Sequence, residues 1–481
     1  MLEELKPTEV FRWFEEITRI PHCSYKEEKL SDFLVEFAKE RKLEWYQDEK
    51  KNVIIKKRAS KGKEKAPAVI LQGHMDMVCE KLADSNHNFD TDPLELAIEG
   101  DWLKANNTTL GGDDGIAVSY MLAILDSGEI QHGPLECLFT TSEEMGMEGA
   151  FAVTKEHLEG KYLFNIDGEV EGDLLVGCSG GIVITSTHPI EKEKVLGEAK
   201  SFRLKLQGLE GGHSGQEIHK SRGNSIKCIG RILYSEVENL RILSLKGGSK
   251  HNAIPTNSEA EFLLLGENTE EVLEKIHQKA EEIRKEYSVS DPNFEITIEE
   301  SRAKEETSWT LETAQEVLKY ILAIDDGVIY MDPMFHDLVQ TSISSGILSS
   351  DGEVKIVTLL RSSVKSKESE IIDRIKVIAE AFHFTVSDDG GYPAWEYDPD
   401  SKLRLIAEKM YQRMFNRDPK VKTIHCGLEC GILKRVLTDT DMITYGPDMK
   451  DIHTVKERLS ISSTERMWEF TLALLDKLSR E

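Results

Sequence analysis

Histidine and carboxylate side chains recur in this chain at positions that one sheet edge could gather together. His74 and Asp76 follow the apolar run AVILQG, and Asp113 and Asp114 sit in Leu110-Gly-Gly-Asp-Asp-Gly115 just ahead of a helical pattern. Glu143 and Glu144 follow LECLFTTS, Asp167 ends KYLFNID, and His453 comes shortly after MITYGP. In an α/β sheet, residues just past the carboxyl ends of strands converge on one crevice. Acids packed that closely raise one another's pKa unless cations compensate them. Two divalent ions would do so, with His74, Asp113 and Asp167 at one position, His453, Asp113 and Glu144 at the other, and Asp113 bridging. Three carboxylates and one shared hydroxide balance two Zn²⁺, and imidazole and carboxylate both suit zinc.

The remaining acids find roles beside that pair. Asp76, two residues from His74, is placed to accept the imidazole N–H and fix its tautomer. Adjacent loop side chains diverge, so Glu144 can bind metal while Glu143 faces the water. Glu143 would take the water's proton and pass it to a leaving amine. Zinc lowers the pKa of such a water to about 7. Taken singly, an HxD, a Glu-Glu pair or an Asp-Asp-Gly is commonplace, and the last is an ordinary turn or cap. Their joint placement after buried strands is what points to a metal site.

The elements that must position these groups read as α/β at both ends of the chain. Helical patterns span Pro7–Ile20, Tyr25–Glu40 and Asp113–Ser127, and strands span Asn52–Lys57, Ala66–Gln72, Leu135–Thr141 and Lys161–Asp167. From Ser201 the pattern alternates with period two, as in a half-exposed antiparallel sheet. Helices at Asn224–Leu240, Glu270–Tyr287, Leu311–Ile324 and Glu368–Phe382 are expected among strands at Ser201–Leu209, Arg241–Leu245, Ser258–Leu265, Phe294–Glu299, Val339–Leu348, Val354–Leu360 and His383–Val386. Two successive split β-α-β units account for that order. After Asp388 the α/β character returns, with helices at Leu403–Phe415, Gly427–Val436 and Ser462–Leu478 and a strand at Asp441–Tyr445. The expected division is therefore residues 1–198 and 388–481 forming one domain, with 199–387 inserted into it.

Composition narrows the partners. The net charge of −27 over 481 residues would repel nucleic acid and anionic lipid. No run of about 18 apolar residues offers a membrane span, and the start shows no secretory pattern. Seven cysteines are scattered without a CxxC pair. Reduced thiols in a cytoplasmic protein are the simplest reading.

With these motifs in hand, the chain resembles a known family. Gly-His74-Met-Asp76-Met-Val78, Leu-Gly-Gly-Asp113-Asp-Gly, Thr-Ser-Glu143-Glu144-Met-Gly, Asn-Ile-Asp167-Gly-Glu and Asp451-Ile-His453 are similar, in order and over nearly the whole chain, to the metal motifs of the aminoacyl-histidine (Xaa-His) dipeptidases. These are cytosolic non-specific dipeptidases in the wider clan of co-catalytic zinc aminopeptidases and carboxypeptidases. The resemblance implies a mixed-sheet α/β catalytic domain with an inserted α+β lid, two Zn²⁺ per chain with Co²⁺ or Mn²⁺ as substitutes, dipeptide substrates, and a homodimer. It also implies that His213, in Gly211-Gly-His-Ser-Gly215, stabilises the oxyanion, and that Asn224, Asn252 and Arg361 contact substrate. Arg361 is either a bidentate carboxylate grip or a surface strand arginine. Glu429, in Gly427-Leu-Glu-Cys-Gly431, either binds the substrate amine, caps its helix or supports the metal shell, and His425 is a weaker candidate. Gly112 and Asp114 stand where the family often has alanine and asparagine. Two other readings compete: an amidohydrolase of the same clan acting on N-acyl amino acids, and a non-catalytic binding protein on a peptidase scaffold.

Overall fold

The computed structural model describes residues 2–266, 268–301 and 306–480. The chain divides into two compact units, each with its own apolar core. The first comprises the chain up to Gly177, Tyr397–Thr423 and the chain from Leu428; the second comprises Cys178–Glu396 and Ile424–Gly427. The division therefore runs at 177/178 and 396/397, outside the 198/199 and 387/388 boundaries expected from the sequence. The strand Gly180–Pro189 accounts for the earlier start, because it pairs inside the second unit's sheet.

In the first unit an eight-stranded sheet has at its centre the strands Leu135–Thr140, Val69–His74, Tyr162–Asn165 and Asp441–Thr444, parallel to one another. The first three of these strands are buried at every residue, as a parallel strand covered on both faces requires. The helix Gly112–Asp126 packs on one face and is itself almost wholly buried, which explains its lack of a polar stripe. Two glycines let it approach. A Cβ on Gly73 would lie 2.5 Å from both Ala117 Cβ and Asp114 Oδ2, and one on Gly115 would lie 3.2 Å from Ile17 of the helix Thr8–Ile17. A separate four-stranded sheet joins Met449–Lys450, Arg458–Ser460, Trp102–Ala105 and Leu96–Glu99. Its strands of two to four residues are too short to carry a readable period.

The second unit holds a nine-stranded antiparallel sheet. Burial alternates along Ala199–Gln207, with Phe202, Leu204 and Leu206 inward and Arg203, Lys205 and Gln207 outward. Each inward side chain contributes roughly 1.5–3 kcal/mol of burial free energy. Two βαββαβ halves are present, but they are nested rather than successive. Ala199–Gln207, Leu240–Gly247, Ser258–Leu265 and Glu295–Ser301 form one half. Gly180–Pro189, Val339–Ser349, Glu353–Ser362 and Thr385–Tyr392 form the other, so its first strand precedes the whole of its neighbour. The expected helix to Leu240 stops at Tyr234, and a short 3₁₀ turn at Val237–Asn239 leads into the strand at Leu240. Val237 and Leu240 are both buried at helix-like spacing, but from a turn and a strand.

Cys23 and Cys79 form a disulfide, in contrast to the reduced thiols expected from the sequence. A backbone bridge between Cys23 and Met77 brings the two segments together, a contact that cysteine spacing does not reveal. No helix among the described residues is long and apolar enough to cross a membrane.

Candidate metal centre

Three neighbouring parallel strands end at the site. His74 closes Val69–His74 opposite Thr140, and Glu143 and Glu144 lie just beyond Thr140. Gln72 pairs with Asn165, and Asp167 follows two residues later. Asp113 and Asp114 come from the first turn of Gly112–Asp126, where both depart from helical dihedrals. The last donor arrives by a different route from that expected. His453 stands in the hairpin between Met449–Lys450 and Arg458–Ser460 of the small sheet, at φ 59°. A non-glycine residue in that region costs of order 1 kcal/mol and is held there by its surroundings.

The structure brings all five expected ligands together. Asp113 divides its oxygens: Oδ1 lies 3.1 Å from His74 Nε2, and Oδ2 lies 3.1 Å from His453 Nε2. Asp167 Oδ1 joins the His74 side at 3.6 Å, and Glu144 Oε1 joins the His453 side at 2.8 Å. His74 Nδ1 is 2.9 Å from the Asp76 carbonyl oxygen, so an Nδ1–H donates there and leaves the Nε2 lone pair for the site. This refines the expectation for Asp76. Its carboxylate is farther from the ring, at 3.4 Å, and accepts mainly from Glu143 N (2.9 Å), Glu144 N (3.3 Å) and Ser24 Oγ (2.8 Å). Asp76 thus aims the two glutamates as well as flanking the imidazole.

The electrostatics are those of acids lacking counter-charge. Burial pushes Glu143 well above the usual carboxylate range, against His74 and with the charges of Asp167, Glu429 and Glu144 adding to it. Asp114 and Asp167 are also raised, first by burial. Burial opposes ionisation of Asp113 too, but hydrogen bonds from His453 and His74 hold it low. Hydrogen bonds to Asp113 and Glu144 push His453 up to about 11. Burial works against a charged His74, yet its bonds to Asp113, Asp167 and Asp76 keep it well above its ordinary value. The buried oxygens Asp114 Oδ1, Asn165 Oδ1 and Glu429 Oε1 also find no hydrogen-bond donor. A set of imidazole and carboxylate donors with orphaned acceptor oxygens fits divalent metal ions.

Three further carboxylates surround the site, of which Glu27 alone carried no readable signal in the sequence. Asp114 is fully buried, accepts from His74 N at 3.3 Å and has a carboxylate oxygen within 4.8 Å of donors from His74 and Asp167. Glu27 accepts from Ser142 N and Oγ (2.8 and 3.0 Å), fixing the turn before Glu143. Glu429, the first residue of Glu429–Val436, accepts from Gln72 Nε2 (2.6 Å) and Thr140 Oγ1 (2.9 Å), and burial pushes it up to about 7. It belongs to the polar layer under the strand ends.

The second unit gathers donors instead. His213 Nδ1 accepts from Gly215 N (3.2 Å) and Gln216 N (3.0 Å), which leaves the proton of the neutral ring on Nε2. That nitrogen lies 3.3 Å from Arg361 Nη2, donor facing donor. Arg361 is 4% exposed, donates to the Tyr392 hydroxyl and keeps a buried, unpartnered Nε. It is therefore not a surface strand arginine. His425 Nε2 meets Ser342 Oγ at 2.7 Å, and its Nδ1 is buried without a partner. Burial first, then the Arg361 charge, lowers His213 to about 4 and His425 to about 3. Asn252 is exposed and adjoins Ala253, which pairs with His213. Asn224 caps Ser225–Tyr234 through Oδ1, and its Nδ2 donates to Asp326 and the Ser345 carbonyl.

A crevice at parallel strand ends that lines up carboxylates and imidazoles for shared cations defines a metal-dependent hydrolase. The chain belongs to peptidase family M20/M25/M40, whose family model matches residues 70–477. It is 34% identical over 480 residues to the cytosol non-specific dipeptidase of Escherichia coli (strain K12), covering 99% of both chains. The crystal structure of aminoacylhistidine dipeptidase from Vibrio alginolyticus superposes with a TM-score of 0.90 at 34% identity, covering 99% of this chain and 98% of that one. An aminopeptidase from Bacillus cereus shares the fold at 13% identity, with a TM-score of 0.58 and 99% of each chain covered.

Proposed function

We propose that this protein is a metal-dependent dipeptidase that cleaves Xaa-His and other dipeptides. The observation that carries the reading is the division of Asp113 between His74 and His453, the arrangement expected of a carboxylate shared by two cations. The dipeptidase names of two full-length relatives at 34% identity support the substrate class. Two ions held by His74, Asp113, Asp167, Glu144 and His453, Zn²⁺ or in its place Co²⁺ or Mn²⁺, would supply Lewis acidity and ease deprotonation of water.

The chain's own groups do the rest. Glu143, raised by burial, takes a proton from water and delivers it to the departing amine. Asp76 holds the Glu143 and Glu144 backbone in place through its two oxygens. His213 offers an Nε2–H to a carbonyl oxygen as it gains charge. Arg361, a buried donor with an orphaned Nε, grips the terminal carboxylate of a dipeptide. A cytoplasmic homodimer completes the reading.

The test combines metal analysis of purified protein with hydrolysis of carnosine, other free dipeptides and their N-acylated counterparts. Two ions per chain and cleavage of free dipeptides are expected. Cleavage of the blocked substrates alone would replace the dipeptidase with an N-acyl amidohydrolase. Tight metal binding with no cleavage at all would leave a binding protein.

A further inference from the structure

The turn that presents Asp113 is held from behind by a side chain with no role in the account so far. Glu457 is 3% exposed and spends both oxygens on that turn. Oε2 accepts from Leu110 N at 2.7 Å and Gly111 N at 3.1 Å, and Oε1 accepts from Gly112 N at 2.8 Å and Asp113 N at 3.4 Å. The first N–H groups of any helix lack intrahelical partners, and here a carboxylate from a distant segment supplies them. Gly111, at φ 69°, turns its N–H into this fan, and Gly112 leaves room for it, since a Cβ there would lie 3.3 Å from Glu457 Oε1.

The other end of the same residue belongs to the His453 loop. Glu457 N donates to the Thr454 carbonyl at 3.0 Å, closing the turn just after His453. Pairing of Arg458–Ser460 with Trp102–Ala105 joins the two segments coarsely, through strands that lie beyond the turns themselves. Glu457 joins them at the turns. Asp113 and His453 are 340 positions apart in the chain, and their donor atoms meet at 3.1 Å.

We propose that Glu457 is a positioning residue for the metal pair: by clamping the Leu110–Asp113 backbone to the His453 loop, it sets the spacing at which Asp113 and His453 share one cation. The proposal rests on the metal reading above. Groups that hold metal ligands in place typically change metal affinity 10- to 100-fold when removed.

A purely structural carboxylate provides the control. Glu136 is 4% exposed and likewise accepts backbone N–H groups, from Glu159 (2.9 Å) and Gly160 (3.0 Å), but sits near the start of Leu135–Thr140, away from the ligand-bearing end. Metal-stripped full-length protein would be titrated calorimetrically with Zn²⁺ and, separately, with Mn²⁺, for the parent, Glu457→Gln and Glu136→Gln. Melting temperatures and kcat at rising metal concentration would be read in parallel. Glu457→Gln should bind one ion roughly 10- to 100-fold more weakly, with kcat recovering at high metal and KM unchanged. Glu136→Gln should lose stability while both metal affinities hold. Parent-like affinity for both ions in Glu457→Gln would overturn the proposal, as would an equal affinity loss in Glu136→Gln. If Glu457→Gln fails to fold, Glu457→Asp carries the same test under the same criteria. A parent protein that binds fewer than two ions would instead remove the metal reading.

Discussion

The two units bury clusters of opposite sign, and burial acts on them in opposite directions. In the first, the desolvated groups are mostly carboxylates, and Glu143, Asp114 and Asp167 are pushed up. In the second they are a guanidinium and two imidazoles, and His213 and His425 are pushed down. Removing water disfavours charge of either sign, so each cluster is left short of a counter-charge. The first has surplus acceptor oxygens, Asp114 Oδ1 and Glu429 Oε1 among them; the second has a surplus donor in Arg361 Nε. The first has the chemistry that suits cations, and the second the chemistry that suits an anion. Damage to the first should therefore abolish chemistry, and loss of Arg361 from the second should weaken binding.

The largest effect is expected from metal removal. Dialysis against a chelator should abolish dipeptide hydrolysis, with recovery on adding Zn²⁺, Co²⁺ or Mn²⁺; full activity in metal-free protein would break the comparison at its base. Next, Glu143→Ala should lower kcat by roughly 10² to 10⁴ while metal content measured by emission spectrometry stays at the parent value. Turnover equal to the parent's would take the proton-transfer role from Glu143. In the second unit, Arg361→Ala should act mainly on KM, raising it about 10- to 150-fold, the range for a lost hydrogen bond to a charged group. A fall in kcat with KM unchanged would place Arg361 with the chemistry instead.

Two smaller effects concern stability. The Cys23–Cys79 link closes a loop of 56 residues in the first unit, and its loss should cost about 4 kcal/mol by loop entropy. Calorimetry with and without reductant should show lower stability of the first unit only. For pH, His213 and His425 are held near 4 and 3 when folded, against 6.5 unperturbed. Below pH 6.5 the unfolded chain takes up protons that the folded chain refuses, so stability falls as pH drops from 6.5 through these values. His425→Asn should flatten that acid limb in a series of melting curves, and an unchanged slope would remove His425 from the account.

Much of the first unit was legible because its long buried strands announce themselves. AVILQ, LECLFT and YLFN are apolar runs that suit covered parallel strands, and the polar residues just beyond them had to lie at one edge. His453 could be chosen from the sequence, but not its route, since the two-residue strand before it has no period. Glu457 and Glu27 gave no signal at all, because a carboxylate that ties down backbone N–H groups looks the same in sequence as one in water. The cap formed by Asn224 was unread for the same reason: a short polar residue in a turn is equally a helix cap or a ligand contact until its partners are seen.

Residue identity and strand pattern by themselves picked out His74, Asp113, Glu144, Asp167 and His453, whose side chains lie together in the fold, because ligand chemistry and periodicity are both local properties. Tertiary structure alone decided which oxygen of Asp113 faces which imidazole, that the two βαββαβ halves nest, and that Cys23 meets Cys79. Each of those depends on contacts between segments far apart in the chain, and such contacts arise only when separate elements bury their faces together.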